Sequence, residues 1–348
     1  RLKDIAQVYD TPPLSEELLK TGDWVSKYTL AAPGLVLRSV LRSTEALEPE
    51  RPIIAFRLTG VEPDKRTKSR DKVLDLMLDG QAWAKSAIIG EAGVSASVVE
   101  GLEKAGALER VEMAPPPSAL PPDPDAAPPT LSDEQAAALQ QIREIDVNGF
   151  GVALLDGVTG GGKTEVFFEA VADTLRAGRQ ALVLLPEIAL TATFVERFSK
   201  RFGTKPAEWH SDMTPAQRAR IWRSVLNGDV RVVLGARSAL FLPFRELGLV
   251  VLDEEHDGAF KQYDGVNYHA RDMAVVRARF SEARVILSSA TPSVESRNNA
   301  NQGRYKHVLL TSRFAEAGMP DIAPIDMREE PPEKGQWIAP KLAREVFA

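Results

Sequence analysis

The chain has 348 residues, 44% hydrophobic and 26% charged, with a formal net charge of −6 and no cysteine. Such a length accommodates two or three domains with an ordinary core, and the acidic balance argues against a protein-wide basic surface, so any nucleic acid must use a local groove. No run approaches the ~20 apolar residues of a membrane span, no signal peptide opens the chain, and the lack of cysteine excludes disulfides and thiolate metal sites, compatible with a cytoplasmic setting.

The chain starts at Arg1-Leu2-Lys3 without an initiator methionine, and we expect that start to lie inside a longer protein. Residues 1–66 read as a helical connector. One short helix is expected over 14–19 after Pro12-Pro13, and another over 23–41, which Pro33-Gly34 should break or restart. Trp24, Val25, Tyr28 and Leu30 are its expected core. No chemistry is legible here, and the reading is a packing element that joins domains.

Residues 67–114 form a small unit. Val73, Leu74, Met77 and Leu78 share one helical face, a second helical run includes Trp83 to Ile89, and a third helix covers 95–105 with Val98, Val99 and Leu102. It ends at Gly106 and leads into a short strand over 107–111. Three helices and a strand resemble a winged helix, whose third helix can enter a major groove. Six basic residues face eight acidic ones between 67 and 113, a net of −2, so a protein contact competes evenly with a DNA contact. Residues 115–130 are crowded with proline and read as a semi-rigid linker.

The second large domain, 131–348, opens with a helix capped by Ser132 or Asp133. Gly157-Val158-Thr159-Gly160-Gly161-Gly162-Lys163-Thr164 then fits G-x-x-x-x-G-K-[ST], the phosphate-binding P-loop. The apolar run 152–155 supplies the strand before it. Val166, Phe167, Ala170, Val171 and Leu175 supply a helix over 164–177, closed by Gly178. Backbone N–H groups of the glycines Gly157, Gly160, Gly161 and Gly162, together with Thr159, should close around phosphate oxygens at the positive end of that helix. Lys163 should reach the β- and γ-phosphates of a nucleoside triphosphate, and the Thr164 hydroxyl should sit on Mg²⁺.

Four further apolar runs, at 181–185, 230–234, 249–252 and 285–288, read as parallel strands covered on both faces by helices. The expected fold is therefore α/β, a parallel P-loop sheet with its ligands at the carboxyl ends of the strands. Asp253-Glu254-Glu255-His256 follows the third of these runs. Asp253 is placed to hold Mg²⁺, Glu254 to orient or deprotonate the attacking water, and His256 to couple the nucleotide to the rest of the protein. Ser289-Ala290-Thr291 follows the fourth run. Gly235-Ala236-Arg237-Ser238-Ala239-Leu240-Phe241 follows the second, with an arginine able to hold a phosphate; each of these two strings alone reads as a tight turn.

Taken together and in order, these motifs join Leu185-Pro186-Glu187-Ile188-Ala189-Leu190-Thr191, Trp209-His210-Ser211, Leu242-Pro243-Phe244, Lys261-Gln262, Tyr268-His269-Ala270-Arg271-Asp272 and Pro292-Ser293. That combination resembles the first, RecA-like motor lobe of superfamily 2 helicases, and within them the primosomal replication-restart helicases. The resemblance is firm over 131–348 and looser over 1–113. It implies an ATP-dependent 3′→5′ DNA helicase or translocase acting at stalled or forked DNA. ATP and Mg²⁺ would be its cofactors, forked and single-stranded DNA its substrates, and single-stranded DNA-binding protein and primosome proteins its partners. It implies that Gln135 reads adenine, that Lys163, Asp253 and Glu254 are catalytic, and that Thr164 and Asp253 hold the metal. It also implies that Thr191 and Arg237 touch the backbone of a single strand. Residues 257–272, with Phe260, Lys261, Tyr263 and Tyr268, resemble an aromatic-rich loop that couples DNA binding to hydrolysis.

The sequence departs from that pattern in places. Gly161 stands where the family has serine, and Phe260 where it has tyrosine. The family's N-terminal barrel for a 3′ DNA end, its second lobe with an arginine finger and its cysteine-rich zinc module are all expected to be missing, so zinc is expected only in that missing region. On this reading the chain alone binds ATP weakly and unwinds nothing. The alternative is a fork-DNA-binding primosome scaffold with a vestigial nucleotide site. A restriction-type translocase shares the motor motifs but not the strings at 235–244 and 268–272.

Overall fold

The computed structural model describes residues 7–42, 44–50, 52–145, 149–312 and 323–347. In chain order the elements begin with α1 (Glu16–Thr29) and α2 (Pro33–Val40), followed by β1 (Ile53–Leu58), α3 (Lys68–Leu76), β2 (Trp83–Ala84), α4 (Lys85–Ala92), α5 (Ala96–Lys104) and β3 (Leu108–Met113). The larger α/β part comprises α6 (Asp133–Arg143), β4 (Gly151–Gly157), α7 (Lys163–Arg176), β5 (Gln180–Leu184), α8 (Ala192–Phe202), β6 (Ala207–Trp209), α9 (Pro215–Asn227) and β7 (Val232–Gly235). It continues through β8 (Leu247–Asp253), β9 (Lys261–Gln262), β10 (Tyr268–His269), α10 (Ala270–Phe280), β11 (Arg284–Ser289), α11 (Val294–Asn301) and β12 (Lys306–Leu310). The chain divides into two compact units, Arg1–Ser312 and Arg313–Ala348. The second unit contains α12 (Pro340–Phe347).

The apolar runs form a seven-stranded parallel sheet in the order β12-β4-β11-β8-β5-β7-β6, a RecA-like α/β arrangement. Alternate residues of each strand feed two cores. Val152 and Leu154 of β4 and Val250 and Leu252 of β8 pack with α1, α2, α9 and α10, whereas Ala153, Leu155, Leu249 and Val251 pack with α6, α7 and α8. Burial on both faces explains why these strands read as continuous apolar runs. The order puts β4, β11 and β8 side by side. Ser289 is in register with Asp156, and Ser288 with Asp253. Three motifs far apart in the chain therefore end on one rim.

The N-terminal reading needs two corrections. Residues 53–58, inside the expected helical connector, are strand β1, paired antiparallel with β2 and β3, so the small three-helix unit begins well before residue 67. Of the four residues expected in the core, Val25 is buried and Trp24 half-buried, but Tyr28 is 63% and Leu30 92% exposed. The helix ends at Thr29, Leu30 turns left-handed at φ 54°, and α2 restarts with Pro33 at its first position. These helices pack on the sheet: Leu18, Val25, Val36 and Val40 join its core, and Trp222 Nε1 donates to the Val40 carbonyl at 2.8 Å.

Candidate nucleotide site and strand-facing rim

Strand β4 delivers the chain to Gly157, where an added Cβ would lie 2.8 Å from Leu310 Cβ. Gly160 and Gly162 take φ values of 79° and 78°, the left-handed region in which glycine is unstrained. Gly160 meets nothing within 4 Å, leaving the outer side of the loop open. Gly162 is closed on its inner side, where an added Cβ would run into Gln135 Nε2. The loop is held shut by Gly161 N–H donating to the Val158 carbonyl at 3.0 Å. Lys163, 9% exposed, donates to the carbonyls of Gly157 at 2.8 Å and Val158 at 3.4 Å. The lysine therefore spans the loop that it would share with phosphate. Thr159 is exposed at the loop's tip and Thr164 half-buried in the first turn of α7.

Gln135, expected to read adenine, is 2% exposed and engaged at both ends of its amide. Its Oε1 accepts the Ser132 N–H at 2.9 Å in a capping box, and its Nε2 donates to the Gly161 carbonyl at 3.3 Å. In this form it props the loop from behind. Next to it, the Glu134 carboxylate accepts Thr311 N–H at 2.6 Å, Thr311 Oγ1 at 2.8 Å and Ser312 N–H at 3.0 Å. These hydrogen bonds hold its pKa below the ordinary value.

Asp253 ends β8 and accepts a hydrogen bond from Ser288 Oγ at 2.7 Å. Burial raises its pKa above the usual carboxylate value, against the opposing pull of Ser288 and Lys163. Glu254 is half-buried, and burial followed by the Asp253 charge raises its pKa too. Glu254 adopts φ 51°, a strained conformation for a side-chain-bearing residue of the kind concentrated at functional sites. Asp253 and the Thr164 hydroxyl offer oxygen donors alone, the chemistry that Mg²⁺ takes. The residues present fit that ion.

His256 is the connection between motifs. Its Nδ1 lies 2.8 Å from Ser289 Oγ and its Nε2 3.4 Å from Thr291 Oγ1. Glu255, which the sequence left without a role, is fully buried. It accepts Ser293 N–H at 2.7 Å, Ser293 Oγ at 3.0 Å and Ser296 Oγ at 2.9 Å, with Arg271 at 3.5 Å. Asp156 likewise pairs with Arg297 at 2.7 Å and His307 at 2.9 Å. No local pattern signals either cluster, because the partners come from distant segments that meet only in the folded sheet.

The residues expected on DNA divide. Thr191 is exposed and caps α8 by accepting the Phe194 N–H at 3.3 Å. Arg237 donates to the carbonyls of Ala259 at 2.9 Å and Lys261 at 2.8 Å, tying its own turn to the 257–272 loop. Lys261 is exposed, with its ammonium 5.0 Å from the Tyr263 ring. Tyr268 is only 5% exposed and packs edge-on against Phe241 at 5.4 Å, and Phe260 is 1% exposed. Burial pushes the Tyr268 hydroxyl up to about 12. Neither buried ring offers a face for a base; Tyr263, 70% exposed, does.

Residues 132–300 match a family model described as DEAD/DEAH box helicase, and residues 1–42 match one described as 3′DNA-binding domain (3′BD). The latter match falls on residues read from sequence as connector alone. The chain is 45% identical over 218 residues to the replication restart protein PriA of Rickettsia felis, covering 63% of this chain and 33% of that one. It is 43% identical over 201 residues to that of Bacillus subtilis, covering 58% and 25%. Against that of Chlamydia pneumoniae it is 35% identical over 339 residues, covering 91% and 44%. The chain thus spans less than half the length of each of these relatives. Among solved structures, the DUF1998 helicase MrfA bound to DNA aligns at a TM-score of 0.39 and 16% identity, over 57% of this chain and 31% of that one. The fold assignment rests instead on the sheet topology.

Proposed function

The chain belongs with the PriA replication restart proteins over the residues it shares with them, and on that premise we propose that it carries the ATP-binding motor lobe of a 3′→5′ DNA helicase acting at stalled or forked DNA. The observation that carries this reading is the shared rim: the P-loop, the Asp253-Glu254 pair and the Ser289–Thr291 turn occupy adjacent strand ends, with His256 bonded to the last of these.

In this reading Gly157, Thr159, Gly160, Gly161 and Gly162 offer backbone donors to the phosphates. Lys163 exchanges its two loop carbonyls for phosphate oxygens. Thr164 and Asp253 would hold Mg²⁺, which would supply neutralisation of the phosphate charge. Glu254, with its raised pKa, orients the attacking water and takes its proton. Gln135 releases part of its inward hydrogen bonding to meet adenine. His256 transmits the state of the nucleotide to the Ser289–Thr291 turn. On the other side of the rim, Thr191, Arg237 and Lys261 face the strand's backbone and Tyr263 its bases. We read the three-helix unit from β1 to β3 as a winged helix. Stabilising the transferring phosphoryl group calls for an arginine from a second lobe, so the 348-residue chain alone should bind ATP and turn it over slowly. Single-stranded DNA-binding protein and primosome proteins are the proposed partners.

The test is nucleotide binding and DNA-stimulated hydrolysis by the wild type, Lys163→Ala and Glu254→Gln. The motor reading expects binding to weaken sharply in Lys163→Ala and to persist in Glu254→Gln, with turnover lost in both. Equal nucleotide affinity in wild type and Lys163→Ala would leave a vestigial site and a DNA-binding scaffold.

A further inference from the structure

Between α2 and the loop that joins β9 to β10 runs a groove of about 330 Å³, with Arg38 and Arg42 on one wall and Gln262, Asp264 and Gly265 on the other. The far wall is fixed by Gln262, whose Nε2 donates to the carbonyls of Asp264 at 3.0 Å and Val266 at 3.2 Å. The near wall sits on the turn that carries Arg237. Elsewhere on this acidic protein several surface arginines are matched with carboxylates, among them Arg57 with Glu109, Arg143 with Asp173 and Arg176 with Asp125, although among the described residues Arg245, Arg279 and Arg304 are not. Around this groove several unmatched cations gather in one place. Among the described residues, Arg38, Arg42, Arg218, Arg237 and Lys261 form no ion pair with any acid. The hydrogen bonds of Arg218 and Arg237 go to backbone carbonyls, those of His210 and Ser211 and of Ala259 and Lys261.

Arg42 is exposed, yet neighbouring atoms strip part of its solvent and Arg218 and Arg237 repel it, so its guanidinium is held below the ordinary value. Clustered cations without counter-charges destabilise the free protein, and a bound anion removes that cost. The charges extend along a groove and are not gathered around one point, and the exposed Tyr263 ring lies within reach of the Lys261 ammonium on the same loop. A line of cations with an aromatic face beside it suits a single strand with its phosphates and bases, rather than a free phosphate ion.

We propose that Arg38 and Arg42 hold phosphates of single-stranded DNA, extending the strand path from Arg237 across the groove onto α2. The proposal rests on the strand-tracking reading given above and adds to it a segment of path that lies outside the motor motifs. Asp264, the carboxylate on the opposite wall, keeps the backbone on the arginine side.

The experiment is fluorescence anisotropy of labelled oligothymidylate with the 348-residue chain across a salt series, for wild type, Arg42→Gln, Arg38→Gln/Arg42→Gln, Arg42→Lys and Arg237→Gln. Removing one arginine–phosphate pair should flatten the log–log salt slope by about 0.7, and removing two, as in the double variant, by about 1.4. Arg42→Lys should keep the wild-type slope, and circular dichroism and nucleotide affinity should be unchanged throughout. Wild-type slopes in Arg42→Gln and in the double variant, with binding weakened only in Arg237→Gln, would overturn this site and leave the motor reading standing. A wild type without salt-dependent DNA binding would overturn both. Displacement of the oligonucleotide by inorganic phosphate at matched ionic strength, abolished in the double variant, would reassign the site to a small anion.

Discussion

His256 Nδ1 lies 2.8 Å from Ser289 Oγ, so one imidazole joins the end of β8 to the end of β11. Because the ring's other nitrogen faces Thr291, rotation of the 289–291 turn cannot occur without changing what His256 bonds. His256→Ala should leave ATP affinity within about twofold and lower DNA-stimulated turnover about tenfold, the cost of one hydrogen bond of ~1–1.5 kcal/mol. A variant with normal DNA stimulation would remove His256 from the coupling path.

Glu255 has the opposite character. It sits one residue from the proposed water-orienting carboxylate but faces inward, where Ser293, Ser296 and Arg271 satisfy it. Removing it leaves the Ser293 and Ser296 donors without their acceptor and takes from Arg271 one of three carboxylates, Asp272 and Glu295 remaining. Glu255→Ala should cost about 3–5 kcal/mol of stability, read as a lower urea midpoint, since several buried donors are left unsatisfied at about 1–3 kcal/mol each. Glu255→Gln should cost roughly 1–3 kcal/mol. ATP affinity of the folded fraction should stay near wild type. If Glu255→Gln unfolds at the wild-type midpoint, the anchoring role is wrong.

The two carboxylates on the rim make a pH prediction. Burial raises the pKa of Asp253 in the folded state, so its ionised form is disfavoured there, and folding gains stability as pH falls through that raised pKa. Asp253→Asn should therefore melt about 1–3 °C above wild type at neutral pH without Mg²⁺. The gap should close on acidification, once the wild-type carboxylate is protonated. Glu254→Gln should show the same sign with a smaller effect, since that group is only half-buried. Calorimetry across pH distinguishes this from a lower melting temperature for Asp253→Asn, which would mean that the carboxylate stabilises the free fold.

The tyrosines of the 257–272 loop separate cleanly. Tyr263 offers an exposed ring and Tyr268 a buried one. Tyr263→Ala should weaken single-stranded DNA binding by about 1–3 kcal/mol at unchanged stability. Tyr268→Phe should bind DNA as wild type does, whereas Tyr268→Ala should lose about 3–5 kcal/mol of folding stability. Weaker DNA binding in Tyr268→Phe would return that residue to the strand-facing set.

The strand, glycine loop and helix of the proposed nucleotide site were legible because their pattern is local. A phosphate loop needs glycines, a lysine and a hydroxyl at fixed spacing between a strand and a helix, and 157–164 supplies all of them in one stretch. The central strands were legible for a similar reason, since burial on both faces leaves an unbroken apolar run. Edge elements carry a weaker signal: β6 and β12 at the two edges of the sheet, and β1 and β2 in the smaller unit, are short or half-exposed and went unread.

What the sequence by itself determined is which residue types are available for nucleotide chemistry and in what order they occur. Tertiary structure decided which of them meet and which way they face. Only the strand order β4-β11-β8 brings Asp156, Ser289 and Asp253 onto one rim, and only packing turns Glu255 and Tyr268 inward while their neighbours Glu254 and Tyr263 face out. Only the docking of α2 on the sheet sets Arg42 beside Arg218 and Arg237. The physical reason is that motif spacing encodes short-range backbone geometry, whereas burial and electrostatic environment depend on contacts between segments far apart in the chain.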